Sequence, residues 1–249
     1  MTNLVWQFHI DTTRGYDGPN RKRMAMASAE LASLYAMEHG AEYQLASHAR
    51  WWGNGYHGGP AIERFQLLDE SYDHYDYILY LDTDILIAPT APSIFETYAG
   101  AIIAGNNQNH AQDKLRLQEG WLKDEFPNPT RYLKSYVNGA IMMMSREFRQ
   151  YLRGVLSVED MQVDRGRHWS KYGKMVRWPV YDQSLVSYWV AMSPYSLKPI
   201  SRDWLVGPHF FNHGGAKTEE NLRKYFDRYA QLREQWSIDP RDLVDVSGQ

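Results

Sequence analysis

Apolar and polar positions follow an ordered pattern along the chain. Residues 4–8 (LVWQF) read as a first strand, followed by a loop punctuated by Gly and Pro that runs through Pro19. From Asn20 the apolar residues Met24, Ala27, Leu31, Leu34 and Tyr35 recur at three and four, which predicts a helix that Gly40 stops. Residues 42–46 predict a short second strand, and residues 51–59 a Gly and aromatic loop. Pro60 then opens a helix with Ile62, Phe65, Leu68 and Tyr72 at its apolar positions. It leads into residues 77–87, YILYLDTDILI, whose opening run has the length and content of a strand buried on both faces. Strand, helix, strand, helix, strand predicts a parallel sheet of the nucleotide-binding kind.

Two prolines forbid a long regular element after Asp84, and residues 101–104 read as another short strand. Residues 106–130 are polar and irregular apart from a helical pattern over 114–121. Loops of that length are usually functional or mobile, so this one is a candidate lid on the acceptor side. Residues 137–144 (VNGAIMMM) predict a second buried strand, and Ser145 caps a helix containing Phe148, Tyr151 and Leu152. An insert over 165–178, rich in Trp, Tyr and basic residues, either holds an acceptor or packs. Pro179 breaks the chain, and Asp182 stands where an N-cap belongs, before a helix with Leu185, Val186 and Trp189 on one side. After GPHFFNHGGAK (207–217), Thr218 caps a long amphipathic helix with Leu222, Tyr225, Phe226, Tyr229 and Leu232 on one face.

The chemistry-bearing residues cluster at loop positions. Asp82 and Asp84 end a buried strand, where open α/β sheets bind their ligands. If the backbone stays extended through Thr83, their side chains share one side and repel unless a cation lies between them. A hard divalent ion, Mn2+ or Mg2+, suits such oxygens and keeps positions open for phosphate. The plainer reading has Asp82 capping a turn and Asp84 solvated. His9, Asp11, Thr12 and Thr13 leave the first strand at its carboxyl edge, placed either to bind a base, ribose or phosphate or to form a polar turn. Arg21, Lys22 and Arg23 put positive charge in a first helical turn, which is unfavourable there unless an anion such as a diphosphate lies nearby; the alternative is a solvated face. Gly139 allows close backbone approach beside Asn138. His213 in a Gly-rich stretch is free to reach a ligand, and Gly215 and Lys217 suit phosphate oxygens at a helix start.

Composition narrows the classes. The 249 residues can bury a sizeable core without staples, and no linker divides them, so one domain over 1–249 is expected, either whole or cut from a longer protein. Lys plus Arg at 27 nearly balance Asp plus Glu at 30, which gives no electrostatic case for nucleic acid. Absence of cysteine excludes disulfides, thiolate metal sites and a cysteine nucleophile. No signal-peptide pattern or membrane-spanning apolar run is seen, so a cytoplasmic location is the expectation. The 9 Trp, 18 Tyr and 8 Phe offer flat faces that stack on sugars and bases as well as filling a core.

Taken together, the strand ending YLDTD, the strand with NGAIMM, the helix start YDQSL and the late HGGAK resemble the metal-dependent GT-A glycosyltransferases. The likeness is to the retaining enzymes of the glycogenin and bacterial galactosyltransferase type (family 8-like), over roughly residues 3–217. The resemblance implies an α/β fold, a single GT-A domain with a mixed, mostly parallel central sheet flanked by helices. It implies Asp82, Asp84 and His213 as ligands of Mn2+ or Mg2+, with His209 a rival for the third place. It further implies donor-binding roles for His9, Asp11, Thr12, Thr13, Arg64, Thr83, Asn138, Gly139, Gly215 and Lys217, and catalytic roles for Asp182 and Gln183. The implied reaction moves a sugar from a nucleotide-diphosphate sugar, with a UDP-sugar expected, to a hydroxyl of a carbohydrate or glycoconjugate acceptor, with retention of configuration. Two other classes stay open: a haloacid-dehalogenase-type phosphatase, which also places DxD after an apolar strand, and a non-catalytic nucleotide-sugar binding domain.

Overall fold

The computed structural model describes residues 1–10, 19–50, 60–107, 137–155, 187, 190, 193–201, 203–207, 209–212 and 218–236. In chain order the strands and α-helices are β1 (Asn3–Phe8), α1 (Pro19–Glu38), β2 (Glu42–Ala46), β3 (Tyr77–Leu81), β4 (Ile85–Ile87), α2 (Ile94–Thr97), β5 (Ile103–Asn107), β6 (Val137–Ser145), α3 (Arg146–Val155), β7 (Leu197–Pro199), α4 (Asp203–Val206), β8 (Phe210–Asn212) and α5 (Glu219–Gln235). They divide between two compact units. One comprises Met1–His48, His74–Gly100 and Ser201–Gln249, the other Ala49–Asp73 and Ala101–Ile200.

In the first unit β1 pairs in parallel with β2 and with β3, Leu4 lying opposite both Glu42 and Ile78. The predicted burial of β3 on both faces holds: Ile78, Leu79, Tyr80 and Leu81 are all buried. Trp6 lies with its ring 5.8 Å from that of Tyr80 and 6.2 Å from that of Phe8. Helix α1 packs through Ala25, Leu31, Ala32, Leu34 and Tyr35. It ends as the sequence predicts, for Gly40 adopts φ 62°, and its amide donates to Met37 C=O while Ala41 donates to Ala36 C=O. These two bonds complete a Schellman cap that satisfies the last carbonyls. Helix α5 starts at Thr218, whose Oγ1 accepts from the Asn221 amide at 3.3 Å, and lies against α1. The Tyr225 hydroxyl donates to Met24 C=O at 3.0 Å, and Arg233 pairs with Glu30 at 2.5 Å. Strands β4 and β8 form a separate antiparallel ladder.

In the second unit β5 pairs antiparallel with β6 and parallel with β7, with a register shift between Gly105 and Asn106. Met142, Met143 and Met144 are buried, and Ser145 caps α3, its Oγ accepting from Phe148 N at 3.1 Å. The segment opened by Pro60 departs from the α-helix expected there: it winds as a 3-10 helix over Pro60–Leu68 and again over Glu70–Tyr72. The spacing of three between Ile62, Phe65 and Leu68 matches three residues per turn better than 3.6. Asp69 restarts the winding by accepting from the Ser71 amide. Arg153 of α3 ties this segment down, bonding Leu68 C=O at 2.9 Å and Asp73 at 2.6 Å.

Among the described main-sheet pairings three are parallel and one is antiparallel, which makes this a mixed, mostly parallel α/β fold. No helix among the described residues is long and apolar enough to cross a membrane.

Candidate metal and donor site

The aspartate pair sits at the carboxyl end of β3, but its local geometry differs from the extended run expected. Strand β3 stops at Leu81, and the Ile85 amide donates back to Asp82 C=O at 3.3 Å, so residues 82–85 form a turn. Strand alternation therefore does not bring the two side chains together; the turn does, since Asp82 and Asp84 are close enough for one charge to act on the other.

The two carboxylates have different surroundings. Asp82 Oδ1 accepts from the Tyr80 hydroxyl at 2.7 Å. Asp84 is half-buried as a residue, yet its Oδ1 is shut off from solvent and has no hydrogen-bond partner among the described residues. Burial first and the Asp82 charge second push the Asp84 carboxyl up to about 7, opposed by its own backbone amide and by Arg21. A buried acceptor atom without a donor is costly in a finished fold and is expected where an ion or ligand completes the site. The influence of Arg21 also bears on the basic first turn of α1: Asp84 is one anion within its electrostatic reach. Arg23 has another outlet, its guanidinium lying 4.5 Å from the Phe226 ring centre.

The turn rests on polar groups that the apolar periodicity does not single out. Gln7 and Ser28 are fully buried. The register that puts Trp6 opposite Tyr80 brings Gln7 to the end of β3. Its Nε2 donates to Asp82 C=O at 3.2 Å and to Ser28 Oγ at 2.9 Å. The Ser28 hydroxyl donates to Ile85 C=O at 2.6 Å, and the Tyr43 hydroxyl donates to Gln7 Oε1 at 2.8 Å. The available signal was a polar residue inside an apolar pattern: Gln7 in LVWQF, and Ser28 between Ala27 and Ala29.

Among the described residues no group of three or more His, Asp or Glu side chains could hold a metal. The third ligand expected, His213, lies outside the described residues, as do Asp11, Thr12, Thr13, Asp182, Gln183, Gly215 and Lys217. The ladder beside the aspartates is nonetheless informative. Ile85 pairs with Asn212, the residue before His213, whereas His209 sits at the far end, its C=O accepting from the Ala88 amide at 2.8 Å. The His209 ring lies 5.5 Å from that of Trp204.

The remaining described candidates fall in two places. His9 follows β1 directly, its amide donating to Ala46 C=O at 2.9 Å, and Thr83 is in the aspartate turn. In the second unit Arg64 is buried at 2% exposure, and its Nη1 donates to Gly139 C=O at 2.9 Å. A Cβ at Gly139 would stand 1.9 Å from that Nη1, so the absence of a side chain admits the guanidinium. Asn138 turns its Oδ1 onto the Ala140 amide at 2.9 Å.

No family model matches the sequence, and no curated protein matches it either. Solved structures do. A crystal structure of a glycosyltransferase involved in the glycosylation of the major capsid of PBCV-1 is similar over 91% of this chain and 100% of its own, at 12% identity and TM-score 0.50. Mouse xyloside xylosyltransferase 1 in its apo form (10% identity, 82% of this chain, 86% of its own) and the apo bifunctional glycosyltransferase WbbM (10%, 92% and 44%) both give a TM-score of 0.42, too low to add weight. The mixed α/β architecture, the mostly parallel strand pairing and the likeness to the glycosyltransferase involved in PBCV-1 capsid glycosylation together make this a glycosyltransferase fold of the GT-A type.

Proposed function

We propose that the chain is a divalent-metal-dependent glycosyltransferase that moves a sugar from a nucleotide-diphosphate sugar to an acceptor hydroxyl with retention, of the family 8-like kind, with 1–249 as one catalytic domain. The observation that carries the reading is the aspartate turn: two interacting carboxylates at a strand's carboxyl end, one with a buried oxygen lacking any described partner.

Asp82 and Asp84 fit a hard cation, and His213 is the proposed third ligand, a reading supported by Asn212, the residue before it, pairing with Ile85 of the aspartate turn. Such an ion, Mn2+ or Mg2+, neutralises charge growing on a departing diphosphate and helps to template it. The protein's own part is to bind and orient. His9, Asp11, Thr12, Thr13 and Thr83 are assigned to the nucleotide end of the donor, and Gly215 and Lys217 to its diphosphate. Asp182 is assigned to sugar hydroxyls. Gln183 orients the sugar and offers its carbonyl oxygen to positive charge at the anomeric carbon. In a front-face route the leaving diphosphate takes the acceptor proton, so no strong protein nucleophile is required. Orientation of the two substrates supplies the remainder of the acceleration.

A thermal-shift screen of nucleotide sugars with and without Mn2+ tests the reading, because a ligand that binds only the native state raises its apparent stability. A shift by one donor, larger with the ion, supports it. Equal shifts with and without the ion contradict the metal assignment, and binding without turnover points to a sugar-nucleotide binding domain.

A further inference from the structure

We infer that Gln7 and Ser28, with Tyr43 behind them, are positioning residues that hold the Asp82–Ile85 turn in its ligand-ready shape. The inference rests on the metal reading for its consequence, but not for its geometry.

The network is directional from end to end. The Tyr43 hydroxyl donates to Gln7 Oε1 at 2.8 Å, which fixes the amide so that Nε2 faces Ser28 Oγ (2.9 Å) and Asp82 C=O (3.2 Å). Having accepted from Gln7, the Ser28 hydroxyl turns its own proton to Ile85 C=O at 2.6 Å. Both hydrogens of the Gln7 amide are thus used, and the turn is gripped at its first and last residues. Burial raises the Tyr43 hydroxyl well above its ordinary range, so it remains a donor at any working pH.

A core of this kind has no packing need for Gln7 and Ser28. Both have 0% exposure, in a strand and a helix otherwise built from apolar and small residues at those faces. What their hydrogen bonds add is specific: they hold two backbone carbonyls on either side of Thr83 and Asp84. Without these bonds Asp82 C=O would keep the 3.3 Å bond from the Ile85 amide, and a rotation of either peptide plane would re-aim the carboxylates. Clamping both ends leaves Asp82 and Asp84 in one arrangement before any ion arrives, which is how groups behind metal ligands raise affinity.

The test compares wild type with Ser28→Ala, Gln7→Met and Tyr43→Phe, with Ser145→Ala as a reference, since Ser145 caps α3 and does not touch the turn. Mn2+ binding is followed by the loss of the free-ion EPR signal, and hydrogen exchange is followed in peptides spanning residues 82–87. Tyr43→Phe keeps the fold safest because it removes only the bond that orients Gln7. The expected result is Mn2+ affinity lowered about 10-fold or more in the three network variants, with faster exchange in the turn, and neither change in Ser145→Ala at a similar loss of Tm. Network variants that lose stability but bind Mn2+ as wild type does would overturn the inference. If wild type itself takes up no Mn2+, the metal reading fails instead, and exchange alone then decides: a turn no faster in the variants than in wild type overturns the positioning role.

Discussion

Asp84 shows what a single residue at this site costs the protein. Its carboxyl is raised towards 7 by burial and by Asp82, so the native state holds a proton that the unfolded chain releases near its ordinary value of about 3.9. A raised carboxyl stabilises the fold below the unfolded value and loses that contribution as pH climbs through the window to about 7. Asp84→Asn should therefore be more stable than wild type at pH 8 by roughly 2–4 kcal/mol, with little difference at pH 4. Urea unfolding at the two pH values measures this; an equal effect at both would show that the Asp84 carboxyl titrates in its ordinary range. The same substitution should remove the response to Mn2+, since the ion requires the deprotonated group. At the other candidate ligand position, His213→Ala should abolish metal-dependent turnover while His209→Ala retains it. His209 packs beside Trp204 at the far end of the β4–β8 ladder. Loss of turnover in His209→Ala alone would reverse the assignment.

Elements carry the site through close fits that single substitutions can expose. Gly139→Ala must push the Arg64 guanidinium off Gly139 C=O, because the new methyl would lie 1.9 Å from Nη1. Overpacking of a buried position costs typically about 1–3 kcal/mol. Thermal unfolding should show lower stability; an unchanged Tm would mean that the guanidinium has another place to go. Much at this scale was legible in the sequence. The β1, α1, β2 and β3 order, the Gly40 stop and the Ser145 and Thr218 caps follow from periodicity and from residues whose local chemistry permits few alternatives. Two features were not legible. The spacing of three between Ile62, Phe65 and Leu68 suits a 3-10 winding but also occurs on an α-helical face, and contacts such as Arg153 to Leu68 C=O come from far along the chain. Asp82 and Asp84 could be placed at a strand end, but the turn joining them is set by Gln7 and Ser28, which are remote in sequence.

For the molecule as one piece, a fold shared at 12% identity with a glycosyltransferase involved in PBCV-1 capsid glycosylation leaves the chemistry to be read from the site. If the chain is a retaining enzyme, Gln183→Ala should lower kcat more than donor affinity, the pattern of an interaction made chiefly in the transition state. The first-formed product should also keep the donor's anomeric configuration in proton NMR; an inverted anomer would remove the family 8-like assignment. More basic than the stereochemistry is the proposal that this chain transfers a sugar by means of an ion held at the aspartate turn. Its most direct test is release of nucleoside diphosphate and glycosylated acceptor from a nucleotide-sugar panel, run with Mn2+ or with excess chelator, on wild type and on Asp82→Ala and Asp84→Ala. Product is expected from wild type with Mn2+ and from none of the other combinations, all three proteins remaining folded. Full turnover in chelator, or in either aspartate variant, would contradict it.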